Sequence, residues 1–442
     1  MLVPLFPKGG RPRAADGARA LPPLHTPEDR LNEAVGLAEA IDLEVRASRL
    51  VPLVKPRPAT LFGSGKVAEI GEMAGEEQAG LVIVDHAVTA IQQRNLERAW
   101  NVKVLDRTGL ILEIFGRRAR TREGRLQVEL AHLTYQKSRL VRSWTHLERQ
   151  RGGFGFFGGP GETQIEADRR MIGERIHAIR KELDGVARTR ALHRVGRRRV
   201  PYPVVAIVGY TNAGKSTVFN RMTGAGVAVE DRVFATLDPT MREMKLDGGR
   251  RIVLSDTVGF ISDLPTMLVA AFRATLEEVA EADLILHVRD ISHPESEAQR
   301  RDVEAVLADL GAAAAGSGSH LLEVWNKIDR VGAPRREEIE HAAQRTGPPA
   351  AAIVSALTGE GLERLRTGIA AALSADDEIL ALTLPVTAGA LGAWLHAHTE
   401  VLSRETSADG ETRWQVRVAP SVKGRLLGLL ANAGRRAPTP DP

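Results

Sequence analysis

The chain of 442 residues contains no cysteine. This absence excludes disulfide bonds, iron–sulfur clusters, thiolate zinc sites and cysteine nucleophiles, and it permits a reducing compartment. No apolar run approaches the roughly 18 residues of a membrane span, and the histidines show no metal-ligand spacing. We expect a monomeric cytoplasmic protein without stable membrane association. Residues 1–26, rich in Pro, Gly, Arg and Ala without a continuous apolar core, are expected to form a flexible tail.

A glycine-rich loop stands between an apolar run, residues 203–208, and a helix-like segment that begins at Thr217. Residues 209–216 read Gly-Tyr-Thr-Asn-Ala-Gly-Lys-Ser and fit the pattern G-x-x-x-x-G-K-[ST] in its strand–loop–helix setting. In such a loop the backbone N–H groups surround the phosphates, Lys215 reaches the outer phosphates and the Ser216 hydroxyl binds Mg²⁺. The sequence therefore predicts a nucleoside triphosphate site.

Two later motifs indicate which base is bound. Residues 326–329, Asn-Lys-Ile-Asp, end an apolar run at the carboxyl edge of a predicted strand, where open α/β sheets bind ligands. The Asp329 carboxylate can accept hydrogen bonds from the ring N–H and the exocyclic amine of guanine, a pair of donors that adenine lacks. Residues 355–357, Ser-Ala-Leu, can offer backbone N–H groups to the guanine carbonyl. Together these motifs predict GTP rather than ATP.

Residues that sense the third phosphate are expected between these motifs. In residues 256–259, Asp-Thr-Val-Gly, the Asp256 carboxylate can hold Mg²⁺ through water, and the Gly259 amide can meet the γ-phosphate. Upstream, residues 234–238 include Thr236, whose hydroxyl can complete the magnesium shell only when GTP is bound. The order of the five motifs is that of a GTPase domain.

Hydrolysis by the isolated chain is expected to be slow. Directly after Gly259, where many small GTPases have a glutamine that orients the attacking water, this chain has Phe260. Because a phenyl ring cannot hold water, we predict a partner that supplies a catalytic group or orders the site. Asn212 suggests K⁺ as an activator, by similarity to potassium-stimulated GTPases. An asparagine can equally serve the loop because it tolerates unusual backbone angles.

The predicted site residues come from all five motifs. The predicted catalytic residues are Asn212, Lys215, Thr236 and Gly259, and the predicted magnesium ligands are Ser216, Thr236 and Asp256. The predicted nucleotide-binding residues are Gly209, Tyr210, Thr211, Asn212, Ala213, Gly214, Lys215, Ser216, Thr217, Phe234, Ala235, Thr236, Leu237, Asp238, Asp256, Thr257, Val258, Gly259, Asn326, Lys327, Ile328, Asp329, Ser355, Ala356 and Leu357.

A basic segment precedes the GTPase motifs. Residues 117–200 contain 21 Lys and Arg against 9 Asp and Glu, whereas the whole chain has a net charge of only +4. Heptad-like apolar positions predict two long helices, which should form an antiparallel hairpin because the break between them, residues 152–161, is short and glycine-rich. Arms of about 30 residues would extend roughly 45 Å. The apolar positions are Leu126, Leu130, Leu133, Leu140, Trp144, Leu147, Ile165, Ile172, Ile176, Ile179, Leu183 and Val186.

Basic helix faces can be merely solvated, but an excess of positive charge with few acidic partners favours the interpretation that the hairpin binds a polyanion. At the break, Phe154, Phe156 and Phe157 stand on a glycine-rich loop with no obvious core to fill, and aromatic rings can stack on unpaired bases. The alternative is a hairpin turn whose rings pack on its own helices, with linker arginines that form a solvated hinge. The predicted RNA-binding residues are Gly153, Phe154, Gly155, Phe156, Phe157, Gly158, Arg197, Arg198 and Arg199.

The predicted fold class is α/β. A P-loop GTPase domain with a mixed, mostly parallel sheet is preceded by a small α/β domain with the long antiparallel helical hairpin, and is followed by a small α+β domain of β-α-β-β-α order. In the first domain Thr26 caps a helix that has Pro27 at its first position, and one strand is predicted over residues 43–53. The predicted parts are a flexible tail at 1–26, an α/β domain at 27–115, the hairpin and linker at 116–199, the GTPase domain at 200–375, the α+β domain at 376–433 and a disordered tail at 434–442.

The motifs resemble those of the HflX family of ribosome-associated GTPases from about residue 30 to 375. The most specific similarity lies in residues 106–112, Asp-Arg-Thr-Gly-Leu-Ile-Leu, and 158–164, Gly-Gly-Pro-Gly-Glu-Thr-Gln. The resemblance implies a Mg²⁺-dependent GTPase that binds the large ribosomal subunit and its rRNA through the N-terminal module and, in several members, splits stalled ribosomes under stress. Thr266 stands where the family often has histidine, and the family varies beyond residue 376.

Two other functions stay open from the sequence. A ribosome assembly checkpoint would have the same domains, with GTP controlling release from a precursor subunit instead of ribosome splitting. A potassium-stimulated tRNA-modifying GTPase is less compatible, because that class works with a C-terminal cysteine and this chain has none.

Overall fold

The structure is a computed structural model. It describes residues 1–6, 25–150, 160–197, 202–226, 233–234, 236, 239–247, 250–263, 265, 278–310, 320–345, 351–375, 377–385, 388–407, 411–418, 420–432 and 439–440. The chain divides into two compact units. The first contains Met1–Ala187, Glu230–Asp238 and Ile261–Ala274, and the second contains Arg188–Val229, Pro239–Phe260 and Thr275–Pro442.

A four-stranded parallel sheet forms the base of the first unit. Its strands are β1 (Leu2–Leu5), β2 (Arg49–Pro52), β3 (Leu81–Val84) and β4 (Lys103–Asp106), in the order β2-β1-β3-β4. The prediction of a flexible tail from residue 1 is therefore wrong for Leu2–Leu5, because this short apolar run is buried between two strands. The strand expected over residues 43–53 is confined to Arg49–Pro52.

Four helices accompany this sheet, and their ends follow local capping rules. The Thr26 side chain accepts a hydrogen bond from the Asp29 N–H, and Pro27 opens the first helix, as predicted. Thr89 and Gln92 form a reciprocal capping box at the start of the third. The helices are α1 (Pro27–Glu39), α2 (Ser64–Glu76), α3 (Ala90–Trp100) and α4 (Arg107–Arg118).

The predicted antiparallel helical hairpin is confirmed. Helix α5 (Arg122–Gln150) and helix α6 (Pro160–Arg197) are joined by salt bridges Arg122–Glu182 and Arg175–Glu129. Residues later in α5 thus pair with residues earlier in α6. On the predicted apolar seam, Leu126, Ile176 and Ile179 are buried. Residues 151–159, at the tip, lie outside the described residues.

The second unit contains a six-stranded sheet in the order β10-β9-β8-β5-β7-β6, parallel except that β6 runs antiparallel to β7. Its strands are β5 (Val204–Gly209), β6 (Thr240–Lys245), β7 (Arg251–Asp256), β8 (Leu284–Asp290), β9 (His320–Asn326) and β10 (Ala352–Ile353). The accompanying helices are α7 (Lys215–Thr223), α8 (Ser296–Asp309), α9 (Ala333–Gln344) and α10 (Leu362–Leu373). The carboxyl ends of β5, β7 and β9 carry the nucleotide motifs.

The C-terminal part has the predicted β-α-β-β-α order. Strands β11 (Glu378–Pro385), β12 (Glu400–Thr406) and β13 (Glu411–Val418) form an antiparallel sheet, with helices α11 (Gly389–His398) and α12 (Pro420–Asn432). Strand β14 (Thr439–Pro440) pairs with Leu380 and Ala381, so the prediction of disorder over 434–442 is wrong for these two residues. Within the described ranges, no helix is both long and apolar enough to cross a membrane.

Candidate nucleotide-binding site

The phosphate loop connects the end of β5 to the start of α7, where Lys215 is the first helical residue. Glycine is required at two of its positions. Gly209 and Gly214 have φ values of 152° and 93°, in the region that L side chains rarely adopt. A Cβ atom at Gly209 would collide with the Val288 carbonyl, and one at Gly214 would collide with the Asn326 amide. The loop is therefore held close to strands β8 and β9.

Lys215 is buried, and its Nζ donates a hydrogen bond to the Tyr210 carbonyl at 2.8 Å. Burial lowers the pKa of this amine to about 8; nearby Asp256 opposes that shift and Lys327 adds to it. A phosphate dianion beside Nζ would stabilise the ammonium form. Burial of the charged amine is unfavourable, and a phosphate group bound beside it would compensate this cost by pairing with the charge.

Ser216 and Asp256 place two oxygen atoms that could bind a metal ion side by side at the edge of the loop. The Ser216 hydroxyl donates to Asp256 Oδ2 at 2.6 Å, and Asp256 is fully buried at the end of β7. A hydroxyl and a carboxylate at this separation suit Mg²⁺, which prefers oxygen ligands and keeps several waters. These two residues would hold the ion that accompanies the phosphates.

The base-reading motifs are joined to the phosphate loop by Asn326. Its Nδ2 donates to the Ala213 carbonyl at 2.9 Å, and its Oδ1 accepts from the Ala356 N–H at 3.0 Å. Lys327 adopts a left-handed conformation, and its Nζ forms a salt bridge with Asp290 at 2.8 Å. Asn326 thus has a structural role that connects three motifs, whereas the sequence indicated only that it belongs to one.

The side chain predicted to select guanine is Asp329, which lies in a short 3₁₀ helix (Ile328–Arg330) after β9 and is exposed. The Ser355 hydroxyl donates to Asp329 Oδ1 at 2.5 Å and so fixes the orientation of the carboxylate. Exposure leaves the other oxygen accessible to a base. Arg221, on α7, donates to the carbonyls of Ala356 and Leu357 and holds the last motif in place.

The second phosphate-sensing segment begins beside the phosphate loop. Phe260 pairs with the loop through its backbone, because its N–H donates to the Gly209 carbonyl at 3.1 Å and its carbonyl accepts from the Thr211 N–H at 2.7 Å. A Cβ atom at Gly259 would lie 3.0 Å from Lys215 Nζ. Gly259 is therefore next to the amine that is predicted to reach the outer phosphates. The Phe260 ring is 1% exposed, so it cannot orient an attacking water.

The first phosphate-sensing segment belongs to the first unit. Phe234 has a φ of 57°, and its ring packs edge-on against Phe115 with centroids 4.6 Å apart. Thr236 lies in the same segment, and its role as a magnesium ligand stays a prediction. Ala235, Leu237 and Asp238 lie outside the described residues.

The remaining predicted residues are Asn212 and the RNA contacts. Asn212 is exposed with a φ of 58°, which agrees with its tolerance of left-handed backbone. The predicted RNA contacts at Gly153, Phe154, Gly155, Phe156, Phe157, Gly158, Arg198 and Arg199 lie outside the described residues, as does the side chain of Arg197. Within the residues described, no cluster of three or more His, Asp or Glu side chains could hold a metal.

Sequence reasoning assigned no role to His287, which is buried on β8 next to the phosphate-loop strand. Burial lowers its pKa to about 4; Glu323 opposes this shift, while Arg289, Arg300 and Lys215 add to it. In the unfolded chain this histidine is protonated below about pH 6.5, whereas in the folded chain it stays neutral down to about pH 4. The free energy of unfolding is therefore unaffected by this group above pH 6.5 and falls as the pH decreases towards 4.

We expect His287→Gln to remove part of this acid sensitivity. The wild-type chain should lose up to about 3 kcal/mol through this group between pH 6.5 and 4. Hydrogen exchange of peptides from β5 and β8, measured at pH 7 and pH 5, would report the effect. A variant whose protection falls as steeply as that of the wild type would contradict the assignment to His287.

The fold and the site together define a class. A phosphate loop at the end of β5, an acidic residue with a serine beside it, and an N-K-x-D motif oriented by Ser355 are the parts of a P-loop GTPase.

Comparison with known proteins identifies the family. Four family descriptions match successive parts of the chain: GTP-binding GTPase N-terminal at 28–116, GTP-binding GTPase Middle Region at 118–197, 50S ribosome-binding GTPase at 204–327 and HflX C-terminal domain at 339–435. GTPase HflX of Magnetococcus marinus is 52% identical over 404 residues, 91% of each chain. GTPase HflX of Escherichia coli is 43% identical over 374 residues, 84% of this chain and 85% of that one. The chain therefore belongs to the HflX family of GTPases and is a GTP-hydrolysing enzyme.

The chain is also similar to a solved structure. The GTP-binding protein of the archaeon Sulfolobus solfataricus, in complex with GDP, is 24% identical, with a TM-score of 0.42, over 79% of this chain and 96% of that one.

Proposed function

We propose that this GTPase binds the large ribosomal subunit through its basic hairpin and dissociates stalled or idle ribosomes under stress. The observation that carries the proposal is the joining, in one chain, of a guanine-nucleotide site to a long hairpin in a segment with 21 basic and 9 acidic residues. The family description 50S ribosome-binding GTPase over residues 204–327 supports the same partner. A net excess of cations on an extended element suits the phosphates of rRNA.

The nucleotide would control this activity through the third phosphate. GTP is proposed to bind with Mg²⁺ held by Ser216, Asp256 and Thr236, while the Gly259 amide meets the γ-phosphate. These contacts order two segments of the chain, and hydrolysis releases them. The hairpin would then insert into ribosomal RNA as a rigid element in the GTP state and withdraw in the GDP state.

Sedimentation with intact ribosomes and a non-hydrolysable GTP analogue tests the proposal. Separate subunit peaks that require the analogue would support splitting. Co-migration with the large subunit alone, with intact ribosomes unchanged, would support the assembly-checkpoint function instead. If the protein sediments with neither particle, both functions are wrong.

Removing the hairpin tip, residues 152–161, should separate the two activities of the chain. We expect GTP affinity to stay within about twofold, because the tip is far in sequence from every nucleotide motif, and ribosome dissociation to fall at least about tenfold, because three aromatic stacking contacts would be lost. The measurements are fluorescent GTP titration and sedimentation. A tip deletion that dissociates ribosomes as well as the wild type does would overturn the assignment of RNA contacts to the tip.

Turnover by the purified chain alone should be slow, because the buried ring of Phe260 replaces a water-orienting side chain. We expect ribosomes to raise kcat by at least about 100-fold, since catalytic groups supplied in trans can provide roughly 10³- to 10⁵-fold. Phosphate release with and without ribosomes measures this. The same assay in K⁺ and Na⁺ buffers tests K⁺ at Asn212. Fast hydrolysis without any partner would refute the role given to Phe260.

A further inference from the structure

An ionic cluster within the first unit holds Ser262, which stands three residues after Gly259 in the sequence. The Arg107 guanidinium, at the start of α4, is 5% exposed. It donates to Asp85 Oδ1 and Glu33 Oε1, each at 2.5 Å, and to the Ser262 carbonyl at 2.7 Å. The Ser262 hydroxyl also donates to Glu33, at 2.7 Å. Ser262 is 155 residues from Arg107 in sequence, so this contact is purely tertiary.

The charges of the cluster keep Arg107 ionised. Burial alone would lower its pKa, but Asp85 and Glu33 outweigh burial and raise the pKa above its ordinary value. Arg30 lies beside the same groups, 3.4 Å from Asp85 and 3.9 Å from Asp263. Breaking one of these buried ion pairs would leave an uncompensated charge, which is costly. The cluster therefore restrains Ser262.

The residue before Arg107 holds the hairpin in the same way. Asp106 caps α4 by accepting from the Gly109 N–H at 2.8 Å. It also accepts from the Tyr135 hydroxyl at 2.6 Å and from Arg139 Nη2 at 2.6 Å, and both side chains belong to α5. Two consecutive residues thus bind different elements: Asp106 binds helix α5 of the hairpin, and Arg107 binds Ser262.

The far end of α4 touches the other phosphate-sensing segment. Phe115 packs edge-on against Phe234, and between the two ends the Leu112 carbonyl lies 3.1 Å from His132 Nε2 of α5. A single helix, α4, therefore contacts Ser262, Phe234 and α5, the first helix of the basic hairpin.

Residue order shows why the contact with Ser262 would affect nucleotide binding. Gly259 lies next to Lys215, and Phe260 is paired by its backbone with the phosphate loop. Ser262 follows two residues later. Phe260 is held by the phosphate loop and Ser262 by Arg107, and only Ile261 stands between them. The orientation of the backbone at Gly259 therefore depends on both contacts.

We propose that Arg107 is a positioning residue for the γ-phosphate contact, and that α4 transmits the nucleotide state to the hairpin through Asp106. Arg107 acts through Ser262 and preorganises the Gly259 amide to contact the γ-phosphate of GTP. GDP has no γ-phosphate, so its binding does not use this contact. By linkage, GTP binding strengthens the Ser262 contact and, through α4, restrains α5. This goes beyond ribosome binding and holds whether or not the chain splits ribosomes.

Binding measurements with the full chain test the positioning role. For Arg107→Gln we expect affinity for a non-hydrolysable GTP analogue to fall about tenfold and affinity for GDP to stay within about twofold. Ser262→Ala, which removes only a hydroxyl, should lower GTP-analogue affinity about threefold, and Arg107→Lys should recover part of the loss. Arg98→Ala, on the exposed side of α3, is the matched control. Equal losses for both nucleotides, or no loss in the well-folded Ser262→Ala variant, would overturn the proposal.

Hydrogen exchange tests the transmission to the hairpin. In the wild type the GTP analogue should slow exchange of α5 amides over residues 126–139 relative to GDP. In a Tyr135→Phe, Arg139→Gln double variant, the preference for the GTP analogue should persist while this slowing disappears, because the contacts of α5 with Asp106, and those of Arg139 with Gln93 and Val88, are lost while Arg107 and Ser262 are unchanged. If the nucleotide does not alter α5 exchange in the wild type, or if the double variant keeps the slowing, α4 does not connect the two.

Discussion

Replacing Lys215 with alanine should weaken GTP binding by roughly 100-fold or more, about 3 kcal/mol. The ammonium group is buried in the phosphate loop, where it donates to the Tyr210 carbonyl, and we expect it to donate to phosphate oxygens when the nucleotide binds. Charge-assisted hydrogen bonds to a polyanion in such a site are the strongest interactions that the loop can make. Calorimetric titration of GTP and of GDP, both with Mg²⁺, measures the loss.

The matched control is Lys245→Ala, because Lys245 is an exposed lysine of the same unit on strand β6. Its affinity for GTP should equal that of the wild type. If Lys215→Ala binds GTP within threefold of the control while its thermal stability is unchanged, the outer phosphates lie elsewhere.

Asp329→Asn should change the base specificity of the chain. In the wild type, Ser355 holds one carboxylate oxygen and leaves the other for two guanine donors. In the variant the amide oxygen can still accept from Ser355, so the amide NH₂ would face the base and meet the donors of guanine. We expect GTP affinity to fall roughly 100-fold or more, because in the complex the amide donor would face the guanine donors with no acceptor between them. Xanthosine triphosphate, which has a carbonyl in place of the exocyclic amine, should gain affinity.

Competition of unlabelled GTP, ATP and xanthosine triphosphate against a fluorescent nucleotide separates the possible outcomes. Asp309→Asn, an exposed carboxylate at the end of α8, is the control and should leave all three affinities unchanged. Equal affinity of the wild type for GTP and ATP, or an unchanged preference in the variant, would show that Asp329 does not read the base.

Local patterns were sufficient for the parts of the fold that depend on short-range physics. Thr26 and Pro27 mark a helix start in the sequence because capping involves residues within one turn. The helices of the hairpin follow from apolar spacing for the same reason. Leu2–Leu5 was missed, because four apolar residues followed by a proline- and glycine-rich segment form a strand only when β2 and β3 lie on either side.

The sequence by itself determined that this chain is a GTP-binding GTPase, since each nucleotide motif is a short run whose chemistry is complete within a few residues. Only the tertiary structure decided how the motifs are connected. Asn326 links three of them, and Arg107 reaches Ser262 from 155 residues away. Such contacts have no signature in the sequence, because a buried hydrogen bond joins two distant positions and imposes no periodicity on the chain between them.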